Sequence, residues 1–220
     1  VVPEVIMKVF VSWSGGKDCT LAACKAMSQG HQVSYLINFI SEDGQRSRSH
    51  GIRREVIALQ AEAIGIPLIQ AATSWEEYEE NFKRVVGELK NEGVEGGVFG
   101  DIDIDEHRQW VERVCSELGI KPLLPLWLME PEELLNEFIE MGFKAIVVAT
   151  KLDKSLLGRS LDEQLLNEIK GFGAHPSGEY GEYHTFVTDG PIFQRLLKVI
   201  QGEVRRKGDI WLLDISVELG

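Results

Sequence analysis

The sequence predicts an α/β fold: an open, mostly parallel sheet with helices on both faces, followed by a smaller, closely packed α/β domain. Three observations carry this. Short apolar runs alternate with longer amphipathic stretches from Lys8 to Leu118. Gly30, Gly65, Gly93, Gly119 and Gly142 each stand just past a helical stretch and just before the next apolar run, where a left-handed residue closes a helix. A glycine loop, Ser14-Gly15-Gly16-Lys17, joins the first run to the first helix, at the end of a strand where open parallel sheets bind ligands.

The elements follow in order. Lys8–Trp13 reads as the first strand and Asp18–Gln29 as the first helix. Val33–Ile40 is a second strand, then a polar loop over Ser41–Gly51 leads to a helix whose Ile52, Val56, Leu59 and Ala63 share one face. Pro67–Ala71 is a short third strand, Trp75–Lys90 a long acidic helix and Val94–Gly100 the fourth strand. Val111, Val114 and Leu118 stripe the helix Glu106–Leu118. Around Pro122–Trp127 the texture changes, and a soft boundary near residue 125 divides the chain into domains 1–124 and 125–220, with no linker-like composition between them. Pro131 opens a helix over Glu132–Met141 and Phe143–Thr150 is a strongly apolar strand. A short helix near Asp162–Lys170, a glycine-rich stretch Gly171–Gly190 and an amphipathic Gln194–Gln201 follow. Glu203–Glu218 reads as two strands around a turn at Arg206–Gly208.

Composition narrows the function. The chain has 220 residues, enough to bury a core without disulfides or a structural metal. Twenty-three basic against 35 acidic side chains give a net charge of −12, which argues against a broad nucleic-acid surface. Three cysteines without CxxC or Cys/His spacing exclude a zinc ribbon, a disulfide scaffold and a dithiol redox site. No apolar run reaches the roughly 20 residues of a membrane span and no leader is evident, so a cytoplasmic enzyme without membrane contact is expected. The residues ahead of Met7 are given no function.

The loop after the first strand is the sharpest signal. Unpaired N–H groups at a helix N-terminus favour an anion, and Lys17 adds a point charge for phosphate oxygens. A tight turn with an incidental lysine is the plain alternative. The Walker A pattern fails, because Val11 stands where its first glycine belongs and Asp18 where its Ser/Thr belongs. Ser14-Gly15-Gly16-Lys17-Asp18-Cys19 resembles instead the SGGKDS signature of the PP-loop ATP pyrophosphatases, a Rossmann-like superfamily that cleaves ATP between its α and β phosphates. Cys19 replaces the final serine. Its expected role is a space-filling contact, the alternative being a thiol acidified at the helix N-terminus.

Other strand ends complete a candidate site. His50 opens a helix and is a candidate for the nucleotide pocket, whereas Arg46 and Arg48 read equally as solvated or anion-binding. Asp101, directly after Gly100, suits a carboxylate that holds Mg²⁺ beside phosphate. Asp105 reads as a helix-start acid. In the second domain, Gly178-Glu179-Tyr180-Gly181-Glu182-Tyr183-His184-Thr185 places two acids, a His and a Thr among glycines that allow close approach to a ligand. Solvation of a polar loop is its plain alternative.

The run Gly100-Asp101-Ile102, then His107-Arg108-Gln109-Trp110-Val111-Glu112 and Pro125-Leu126-Trp127, resembles the diphthine–ammonia ligase family, as does Leu157-Gly158-Arg159 with Leu161-Asp162. The likeness runs from about Met7 to Phe193. Members of that family resemble G-E-G-G-E-Y/F-E-T in the second-domain loop, so Tyr180 and His184 depart from it, and the His-Thr form is more similar to a sister branch proposed to act in cobalamin salvage. The resemblance implies ATP and Mg²⁺ as cofactors, with nucleotide on Ser12, Ser14, Gly15, Gly16, Lys17, Asp18, Cys19, His50 and Gly100, and metal on Asp18 and Asp101. It implies catalysis by Lys17, Asp101, Glu182 and His184, and acceptor binding by Glu179, Glu182, His184 and Thr185. The implied reaction adenylates a carboxylate, releasing pyrophosphate, and ammonia then displaces AMP. The implied acceptor is diphthine on elongation factor 2, with free ammonium as nitrogen source. The alternatives are another carboxylate such as a cobalamin-salvage intermediate, a tRNA-modifying enzyme and a non-catalytic nucleotide binder. The oligomeric state, a homo-oligomer included, is left open.

Overall fold

The computed structural model describes residues 5–220, so part of the stretch ahead of Met7 lies outside the described residues. Five parallel strands form the first sheet in the order β3-β2-β1-β4-β5: β1 (Lys8–Ser12), β2 (Gln32–Ile40), β3 (Leu68–Ala72), β4 (Gly96–Val98) and β5 (Lys121–Leu123). The order reverses between β1 and β4, which opens a crevice at their carboxyl ends. Alternation along the strands sorts the helices. Val9, Val11 and Leu36 face α1 (Lys17–Ser28) and α2 (Arg54–Ile64), while Phe10, Ile37 and Phe39 face α3 (Tyr78–Asn91) and α4 (Asp105–Leu118).

The five punctuating glycines all have positive φ, from 64° at Gly119 to 92° at Gly30, as helix-closing residues should. Gly65 and Gly119 cap α2 and α4 directly in the left-handed conformation.

The second part carries α5 (Pro131–Glu140), α6 (Glu163–Gly171) and an antiparallel sheet in the order β7-β6-β9-β8. Its strands are β6 (Lys144–Thr150), β7 (Tyr183–Asp189), β8 (Leu197–Lys207) and β9 (Ile210–Leu219). Three expectations need correction. The change of texture at Pro122 is a fifth parallel strand, held in register by β4. The glycine-rich stretch ends in a real strand, β7. The amphipathic Gln194–Gln201 leads into β8, where Leu197 is buried while Leu196 and Ile200 are exposed, an alternation of period two. One core cluster runs from Val11 and Leu21 through Ile57 to Phe143, Phe186 and Leu213, so the two sheets share apolar packing. Among the described residues no helix is long and apolar enough to cross a membrane.

Candidate active site

The loop between β1 and α1 is built from close approaches. Gly15 has φ +85°, and a Cβ at Gly16 would lie 2.5 Å from His50 Cε1 and 3.1 Å from the Thr185 carbonyl, so only glycine fits there. The Gly15 carbonyl accepts from Val187 N (3.0 Å) and from Gln60 Nε2 (3.0 Å). The Gly16 carbonyl accepts from Thr20 N, from Thr20 Oγ1 (2.7 Å) and from Cys19 Sγ (3.2 Å). At the helix start, Lys17 N donates to Thr185 Oγ1 (3.1 Å), whereas the Asp18 and Cys19 amides have no protein partner among the described residues. Two unpaired N–H groups and the helix dipole leave a seat for an anion.

Lys17 is buried. Its ammonium donates to Asp18 Oδ2 (2.8 Å) and to the Ser177 carbonyl (2.5 Å), and lies 5.1 Å from the centre of the Tyr183 ring. Burial alone would lower its proton affinity. Asp18 and the neighbouring Tyr183 and Glu179 outweigh that and hold it above the ordinary lysine range, so it stays charged. Burial instead pushes the Cys19 thiol up, with Ser14 Oγ 3.4 Å from its sulfur. The side chain is buried at the helix start, its thiol donating to the Gly16 carbonyl.

These groups open into a cleft of about 250 Å³. Of the expected site residues, Ser12, Ser14, Lys17, Asp18, Cys19, His50, Gly100, Asp101, Glu179, His184 and Thr185 line it, and Gly15 and Gly16 form the loop against it. Glu182 does not line it: its Oε1 accepts from His175 N (3.0 Å), outside the cleft. Arg48 lines the cleft, donating to the Thr73 carbonyl and stacking 4.4 Å over Trp75. Arg46 instead ties the Gly51 carbonyl to Asp214 on β9 (3.2 Å). Asp105 and Glu106 sit in the first turn of α4, as a helix-start reading requires.

Two titratable clusters line the cleft. Asp101, His107 and Glu179 bring their ligand atoms within 4.8 Å of one another, with Asp101 Oδ1 3.2 Å from His107 Nδ1 and Glu179 Oε1 accepting from Ile102 N (3.2 Å). Burial, then Asp18 and Asp101, pushes Glu179 up to about 7, and the Asp101 hydrogen bond raises His107. Crowded carboxylates of this kind suit a hard, oxygen-seeking divalent cation, and Mg²⁺ fits Asp101 and Glu179 better than the imidazole. Asp18 is not in this ligand cluster; its carboxylate pairs with Lys17. In the second cluster, His50 and His184 stack at 4.5 Å with rings 30° apart, and His50 Nδ1 lies 3.1 Å from the Thr185 carbonyl, so Nδ1 carries the proton. Burial with the other imidazole and Lys17 keeps His50 well below the ordinary range, and burial with Lys17 and Lys151 pulls His184 down to about 4. Both rings are neutral at pH 7.

Sequence reasoning missed several contributors. Gln60 is fully buried on α2 and holds Trp13 Nε1 (2.9 Å), Gly15 and Val187 together. His175 joins Asp103 (3.1 Å) to the second-domain loop. Trp75 and Tyr78 line the mouth. Only His107 had a signal, its distance of six residues along the chain from Asp101 at a helix start.

A family model described as the diphthamide synthase N-terminal domain matches residues 7–122, and one described as its C-terminal domain matches residues 130–218. A diphthine–ammonia ligase of Schizosaccharomyces pombe is 34% identical over 96% of this chain, which spans 39% of that protein's length. One of Rattus norvegicus is 31% identical over 90% of this chain and 84% of its own length. A solved structure described as a predicted subunit of tRNA methyltransferase from Methanocaldococcus jannaschii is 18% identical with a TM-score of 0.48, over 84% of this chain and 98% of that one.

Proposed function

Since the chain belongs to the diphthamide synthase family, we propose that it is an ATP-dependent ligase that adenylates the carboxylate of diphthine on elongation factor 2 and transfers ammonia to it. The observation that carries this reading is the direct contact between the phosphate loop and the second-domain loop through Lys17, Ser177 and Thr185. Nucleotide and acceptor sites then share one cleft, as attack of a carboxylate on an α-phosphorus requires.

In this reading the ATP phosphates lie against the free Asp18 and Cys19 amides. The acceptor carboxylate oxygen bonds to the α-phosphorus, the bond to the bridging oxygen breaks, and pyrophosphate leaves against Lys17 and the loop amides. Asp101 and Glu179 would hold Mg²⁺, which when bound neutralises the polyphosphate charge. Ammonia attacks the acyl carbon, AMP departs with the bonding pair, and one proton leaves the nitrogen. His184 is the better placed base for that proton, being neutral and in the cleft, whereas Glu182 is turned toward His175.

The test incubates the protein with ATP, ammonium and diphthine-bearing elongation factor 2. Chromatography should give AMP and pyrophosphate in step with amide formation. Lys17→Ala should remain folded by circular dichroism and lose roughly 10²–10³ in turnover, the usual loss for one preorganised charge. ADP with phosphate as the main products would overturn the reading.

A further inference from the structure

A second cavity of about 380 Å³ adjoins the cleft, and Tyr78, Asp101 and His107 line both. Its wall is aromatic. Trp75, Tyr78 and Trp110 stand in a row, with ring centres 5.9 Å apart at the first step and 5.8 Å at the second. Trp110 has its N–H engaged with Glu79 Oε2 (2.9 Å), so it offers the pocket carbon and not a donor. Trp75 already carries the Arg48 guanidinium, which leaves Tyr78 and Trp110 as the rings available to a ligand.

The ligand class follows from what this wall can and cannot do. The hydroxyls of Ser12, Ser49 and Tyr78 also line the pocket, but an anion would meet the Asp101 carboxylate there with no lysine or arginine in the lining to offset it. A plain apolar group would strip water from that carboxylate with nothing in return. A cation that is large, weakly hydrated and unable to donate hydrogen bonds matches both the ring faces and the carboxylate. His107 shares Asp101, so the rings supply most of the attraction.

We propose that this pocket seats a quaternary ammonium group of the acceptor, Tyr78 and Trp110 packing against its methyl groups. This rests on the diphthine reading above. Diphthine carries its trimethylammonium and its reacting carboxylate on one carbon, and the ammonium pocket and the phosphate cleft share a wall of six residues, Asp101 its one carboxylate.

The probes are glycine betaine and 3,3-dimethylbutyrate, which have the same shape and differ by a nitrogen cation against a neutral carbon. Their affinities for the full chain are measured by ligand-observed NMR, with α,β-methylene ATP bound. Betaine should bind about tenfold more tightly than its isostere. Tyr78→Leu should erase that preference and Tyr78→Phe keep it, and the acceptor KM should be about tenfold higher in Tyr78→Leu than in Tyr78→Phe. Equal affinity for the two probes, a preference untouched by Tyr78→Leu, or expulsion of betaine by the nucleotide analogue would overturn the proposal. A betaine preference without any amidation of diphthine-bearing factor would leave the pocket standing and sink the ligase reading. Amidation with the same acceptor KM in both Tyr78 variants would do the reverse.

Discussion

Gln60 makes three hydrogen bonds from a side chain with no exposed surface, to Trp13 Nε1, to the Gly15 carbonyl and to the Val187 carbonyl. Gln60→Leu would leave a buried indole N–H without its acceptor, and two backbone carbonyls without their side-chain donor. A cost of about 2 kcal/mol follows from the penalty for unsatisfied buried groups, with a loosened phosphate loop and weaker ATP binding. Urea titration and calorimetry check both; an unchanged midpoint would contradict the assignment. His184 gives a pH dependence. Its folded proton affinity, about 4, lies below the ordinary 6.5, so the stability its neutral form contributes is present above 6.5 and lost as pH falls toward about 4. His50 acts with the same sign. Thermal stability should fall over that window and fall less in His184→Gln, and parallel profiles would refute it. The loop residues were legible in sequence because glycines and a lysine at a strand end have a local meaning. Gln60, His175 and Tyr78 were not. Their roles are set by chain segments up to 127 residues away, as Gln60 to Val187 shows, and nothing in their own neighbourhoods hints at them.

At the scale of elements, α6 shows how a cap fixes a boundary. Asp162 has extended backbone and its Oδ1 accepts from Leu165 N (2.8 Å), satisfying one orphan donor of the first turn. Asp162→Ala should destabilise the protein by about 1 kcal/mol and Asp162→Asn by much less, measured by thermal melts; equal losses would show that the charge or its packing matters instead. The same local logic made most of the first sheet readable, since glycine closures and apolar periods are printed in the chain itself. β5 was lost because three residues with a proline at the centre carry too little period, and their identity as a strand comes from pairing with β4. The hairpin of β8 and β9 was read from Glu203 onward, but the first half of β8 was disguised by adjacent apolar pairs, Leu196-Leu197 and Val199-Ile200, which read only as an amphipathic stretch. In the sheet one member of each pair turns outward, Leu196 and Ile200 standing 45% and 51% exposed.

For the whole molecule, a shared core and the bonds from Gly15 and Lys17 to β7 and Ser177 join the two sheets, so they are expected to unfold together. Far-ultraviolet dichroism and tryptophan fluorescence should report a single, coincident urea transition. Two separated midpoints would show that the halves unfold independently. The bond from Lys17 to the Ser177 carbonyl has a further consequence. In the proposed reaction, a polyphosphate that drew the ammonium toward itself would release that carbonyl and shift the balance of arrangements open to the loop around Ser177. An acceptor resting on that loop would shift the ammonium in return. The two co-substrates would then be coupled through one side chain, and thermodynamic reciprocity would require each to change the other's dissociation constant by the same factor, whichever arrived first.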